Sequence, residues 1–184
     1  MDKEEVSELV KSNAQLKTKA FGVKDSIGTL IDGKLFSEKV TKENEDGSTS
    51  ENYDYDKIYS ALKSFVDGYN ELIDNGAESN NNTVLRNTLN LTKMTAANSQ
   101  LLSDVGISIG ESNKLSISES TVKEANINDL KALFQGNGSY AGSVDAYATN
   151  IANAVNAENN KLSTYSANGA YVNSTVGSIY DGTY

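Results

Sequence analysis

The 184-residue chain contains no cysteine, proline, histidine or tryptophan, and only four phenylalanines. Without histidine or cysteine there is no Ser-His or Cys-His nucleophile pair, no thiolate and no ordinary structural zinc site. Average usage would supply roughly nine prolines in a chain of this length, so their absence fits uninterrupted helices, where proline removes a hydrogen bond and clashes with the preceding turn. The lack of cysteine permits either side of a membrane. No run approaches the roughly 18 apolar residues of a membrane span. The acidic, amphipathic start MDKEEVSELV does not read as a secretory signal peptide. A net charge of −9 with no clustered Lys or Arg argues against nucleic acid or an anionic membrane as partner.

What remains is a core of Leu, Ile, Val, Ala and Tyr in a chain that is 38% hydrophobic. The length suits one domain, 1–184. Within it we read an N-terminal helix with an irregular or strand segment and an exposed loop at 42–52. A helical core follows at 53–169 with a hairpin at 106–118, then a Gly/Tyr-rich tail at 170–184. Beyond Ala132 only Asp145, Glu158, Lys161 and Asp181 are charged. A polar but uncharged third of this kind is common in extracellular and self-assembling surface proteins.

Thr83 to Ser118 organises the chain. Val84, Leu91, Met94, Leu101, Leu102 and Val105 recur at helical spacing, and Ile107, Ile109, Leu115 and Ile117 then alternate. A period of about 3.6 giving way to 2 predicts a helix running into a hairpin, turned at Glu111-Ser112-Asn113. Before it, Val6, Leu9, Val10, Asn13, Leu16 and Ala20 predict a helix over Asp2 to Ala20, capped by Asp2 with Glu5 and stopped at Gly22. Lys34 to Thr41 reads as a strand or a continuing helix, and Lys42 to Asn52 as a solvated loop turning near Asp46-Gly47. A calcium-loop register there would put Lys42 at the first ligand position, and is rejected. Ile58, Leu62, Phe65, Tyr69 and Leu72 predict a helix over Tyr55 to Asn75, capped by Asp54 or Asp56. Tyr53, Tyr55 and Tyr59 read as packing at its start rather than a ligand cage.

After the hairpin, Ser118 caps a short helix and Asn128 a second one, DLKALF. Val144, Tyr147, Ile151, Val155, Leu162 and Tyr165 make a last helix interrupted only by Glu158. The expected fold is mainly α (α+β): an antiparallel helical bundle with a β-hairpin packed at one end. The last helix is expected to lie against Tyr55 to Asn75 and Thr83 to Ser103, with Leu62 and Leu101 in the core. The tail residues Tyr171, Val176, Ile179, Tyr180 and Tyr184 are apolar enough either to dock on the domain or to meet a partner.

Five phrases, in order, resemble one known family. Phe65-Val66-Asp67-Gly68-Tyr69-Asn70-Glu71-Leu72 is similar to the FV-x-x-YN-x-L helix of the flagellar filament-capping protein, hook-associated protein 2. Val84 to Leu91, Leu102 to Ile107, Lys114 to Ala125 and Asn128 to Phe134 resemble the phrases that follow it in that family. The likeness covers about residues 55 to 165. The chain has no room for the family's outer β-rich region, and its ends do not show the terminal coiled coils. The resemblance therefore implies the inner, helical part of a cap protein. It further implies a non-enzymatic assembly role, flagellin or other axial proteins as partners, self-association, and export to the bacterial flagellum without a cleaved signal. No cofactor, metal or catalytic residue is expected. Two alternatives stay open: a secreted adhesin or interaction module on the same fold and, more remotely, a hydrolase using paired carboxylates among Asp54, Asp56, Asp67, Glu71, Asp74 and Asp104.

Overall fold

A computed structural model describes residues 3–168. The predicted tail residues and the Asp2 cap lie outside the described residues.

The protein is mainly α: an antiparallel helical bundle that carries a β-hairpin. Among the described residues its four long helices are α1 (Lys3–Ile31), α2 (Tyr55–Ala77), α3 (Asn82–Ala97) and α7 (Tyr140–Asn168). Side-chain pairs give their directions. Lys19 meets Glu71 and the Val23 backbone meets Gly68, so α1 and α2 run antiparallel. Asn13 bonds Asn159 and Lys24 bonds Asp145, which sets α7 antiparallel to α1 on its other side. Tyr69 with Thr95 orients α3 against α2, and Asn81 with Glu158 orients it against α7. The result is an up-down-up-down ring in which α2 and α7 lie across the diagonal. The expectation that α7 packs on the Tyr55–Asn75 helix is thus corrected. Its main neighbour is α1, and α3 is its second.

Helix α1 passes through Gly22 and Gly28 instead of stopping. Both glycines have open space around them, while Val23, Ile27 and Leu30 between and beyond are fully buried. An interior glycine costs about 1 kcal/mol, and burying one such side chain returns about 1.5–3 kcal/mol. Burial wins. The helix ends where Gly33 takes φ +75°, a left-handed conformation suited to glycine. Residues 34–38 then make a turn that buries Phe36. The segment read as loop 42–52 instead contributes to a second hairpin, β1 (Lys39–Glu43) and β2 (Thr49–Tyr53), with only 44–48 left as its loop.

Asp54 caps α2 by accepting from the Lys57 amide. The expected helix from Thr83 breaks at Asn98, where α3 gives way to α4 (Ser99–Asp104). That break turns Leu101 outward to 55% exposure, so the expectation that it is core is overturned. The predicted hairpin stands as β3 (Ile107–Ile109) and β4 (Leu115–Ile117), with Ser112 and Asn113 both left-handed in the turn. Ser118 caps α5 (Glu119–Glu124), while α6 (Ile127–Phe134) is capped by Asn126 rather than Asn128. Helix α7 begins at Tyr140, four residues before the periodic stretch, because Tyr140 and Ala141 are buried too.

The core runs the length of the ring. At its centre the rings of Phe65, Tyr69, Phe134 and Tyr140 pack edge-on or tilted, with centroids 5.7 to 6.2 Å apart.

Candidate interaction surface

The buried residues of the family-like phrases serve the fold, while Leu85, Arg86 and Leu89 of the second phrase are exposed. In the α2 phrase, Phe65, Val66, Tyr69 and Leu72 are buried. Gly68 admits the α1 backbone: a Cβ there would lie 3.1 Å from Val23 Cα. Asn70 reaches sideways, donating to the Leu115 carbonyl (2.8 Å) and accepting from the Leu115 amide (2.7 Å), as a neighbouring strand would. Lys114 adds an ion pair with Asp74 at 2.8 Å. Together they fix the β3–β4 hairpin to the flank of α2. Val84, Leu91, Leu102, Val105, Ile107, Val122, Leu130, Leu133 and Phe134 from the later phrases are also buried.

The six carboxylates considered for catalysis are each engaged. Asp54 is the α2 cap, Asp56 pairs with Lys123 (2.8 Å), and Asp67 with Lys63 (2.8 Å). Glu71 pairs with Lys19 (3.1 Å), Asp74 with Lys114, and Asp104 accepts from Gln100 (2.9 Å). The bond from Lys123 holds the Asp56 carboxyl below its usual range, and Asp56 and Glu119 together hold Lys123 well above its own. A shallow groove of about 730 Å³ between α1 and α2 is lined by Ser26, Ser60, Ser64 and Asp56 among others. Its hydroxyls at Ser26 and Ser64 are spent on their own helix backbone, and its single carboxylate is the one tied to Lys123. A smaller recess of about 300 Å³ brings Asp104 and Asp129 to one rim beside Leu101 and Leu133. There Asp129 stands in the first turn of α6, where a negative charge suits the helix dipole. Among the described residues, no group of three His, Cys, Asp or Glu is placed to hold a metal ion, and no helix is long and apolar enough to cross a membrane.

The outer side of α3 and α4 differs from the rest of this acidic protein. Leu85, Leu89 and Leu101 are exposed, the last two by more than half. On α3, Arg86 follows Leu85 and Lys93 lies one turn beyond Leu89, and neither cation is ion-paired among the described residues, whereas Leu101 on α4 lies beside Asp104 and Asp129. No acidic residue occurs between Asn82 and Ala97. Exposed apolar area with an arginine beside it is common in protein-binding patches. Sequence reading missed it, although the signal was there. Val84, Thr88, Leu91 and Thr95 define the buried stripe, so Leu85 and Leu89, four apart, must sit on the next face round. The residues predicted to bind a partner, Tyr171, Val176, Ile179, Tyr180 and Tyr184, lie outside the described residues. Comparison with protein families, with characterised proteins and with solved structures finds no match to this chain.

Proposed function

We propose that this domain is a non-enzymatic assembly module of the flagellar filament-cap type, acting by protein–protein contact outside the cell. Its partner would be flagellin or another axial protein. The observation that carries the reading is the leucine-and-cation face of α3, on a fold whose six candidate carboxylates are each engaged. The five ordered phrases support the family, and because most of their apolar residues build the core, they speak first for a shared bundle. Tyr171, Ile179 and Tyr180 are the proposed second part of the contact.

The test is light scattering of the chain mixed with the organism's own flagellin. A complex that is lost in Leu85→Ser/Leu89→Ser or in Ile179→Ser/Tyr180→Ser, with the bundle still melting cooperatively, supports the reading. A chain that ignores flagellin overturns it and favours the secreted adhesin or interaction module, for which the uncharged C-terminal third speaks.

A further inference from the structure

The β1–β2 hairpin buries almost nothing. Only Val40 and Tyr53 among its strand residues are even half-buried, and neither edge pairs with another strand among the described residues. A two-stranded ribbon without an apolar face is marginal in water by itself. This one is tied down at its base by the Lys57–Glu38 ion pair (2.9 Å) and by Lys39 and Lys131 over the Tyr53 ring (5.7 and 5.6 Å). Its length is left free.

The register says which groups that free edge offers. Asn44 bonds Ser48 and Asp54 bonds Glu38 across the hairpin, so the even-numbered residues of β1 point their backbone groups inward to β2. Lys39, Thr41 and Glu43 therefore point theirs outward. An antiparallel copy of β1 centred on Thr41 would set Thr41 against Thr41, and Lys39 against Glu43 twice over. Those are the residues with outward amides and carbonyls, so backbone register and charge register coincide. The β2 edge has no such match: centred on Glu51, it would oppose Glu51 to itself.

We propose that β1 is a self-association edge, pairing about a two-fold axis with β1 of a second copy of this chain through Lys39–Glu43 cross-strand pairs. Such an isologous contact closes on itself and stops at two copies. The proposal rests on the hairpin alone and not on the filament-cap reading, so each can fail without the other.

Charge reversal of the full chain tests it, read as solution mass over a concentration series reaching about 1 mM, where even weak pairing registers. The wild type is expected to move toward twice its 19.7 kDa. Lys39→Glu alone and Glu43→Lys alone each place like charges opposite one another and should weaken the dimer by about tenfold or more. Mixing these two variants restores opposite charges across the axis and should restore a dimer. Thr41→Pro, which removes an outward amide and leaves the inward ones in place, should abolish the dimer while the Val40 and Lys42 amides exchange no faster than in the wild-type monomer. A wild type that stays monomeric throughout overturns the proposal. So do single reversals that dimerise like the wild type, or a mixture that stays as weak as its parts.

Discussion

Three buried hydroxyls join three helices at the centre of this protein. Tyr69 on α2 donates to Thr95 on α3 at 3.1 Å, and Thr95 shares a further bond of 3.1 Å with Tyr140 on α7. Thr95→Val keeps the shape but leaves two phenols unpaired, so it should cost about 1–3 kcal/mol in a denaturant melt. Burial pushes both phenols above their ordinary value of 10.0. The folded state therefore resists ionisation that the unfolded chain accepts. This contribution is fully present below pH 10 and is lost as the pH rises above it. Melts from pH 8 to 11.5 should show stability falling above pH 10, and Tyr140→Phe should flatten that fall. A slope unchanged in the variant would locate the loss elsewhere. Leucines give a second contrast at this scale. Leu62 is fully buried and Leu101 is 55% exposed. Leu62→Ala should cost about 2–5 kcal/mol, and Leu101→Ala about 0.5 or less. Equal costs would contradict the break at Asn98.

At the scale of elements, periodicity was the readable part. The α2 stripe, the Asp54 cap, the switch from helix to hairpin after Val105 and the Ser118 cap were all legible because each depends on neighbours in sequence. What sequence reading lost depends on neighbours in space. Gly22 looks like a stop until α2 and α7 are seen to bury Val23 and Ile27 beside it. The 39–53 hairpin gave no alternation of apolar residues, because it has no buried face to encode. Asn98 looks like one more helical residue, yet its backbone N–H bonds to the Thr95 carbonyl (3.0 Å) and its side-chain Nδ2 to the Met94 carbonyl (2.8 Å), and the chain redirects there. Glu158, which looked like a flaw in the α7 stripe, accepts from Asn13 (3.2 Å) and Asn81 (3.1 Å), linking α1, α3 and α7. The candidate surface was half legible: Leu85 and Leu89 could be placed off the stripe, but the outward turn of Leu101 could not. Asn70 marks where one side chain decides how an element docks. Asn70→Ala should cost about 1–3 kcal/mol and speed exchange of the Leu115 amide by an order of magnitude or more, with α2 itself intact. Unchanged exchange at Leu115 would mean the hairpin holds by apolar contact alone.

For the whole molecule, the ring joins the first long helix to the last. Asn13 meets Asn159 across 146 positions of sequence, and Lys24 meets Asp145 across 121. Contacts so far apart form only after their loop-closure entropy has been met, and bundles of local contacts fold faster than this. Weakening the seam, as in Val155→Ala, should therefore act on unfolding more than on folding. Stopped-flow rates check this, and a variant that slowed folding instead would place α1–α7 pairing early. During synthesis at about 5–20 residues per second, the side of α1 that α7 covers waits roughly ten seconds for its partner. Until α7 is made, the ring has no closed state to fall into, so the α7-facing side of α1 stays open to capture by whatever binds exposed apolar segments.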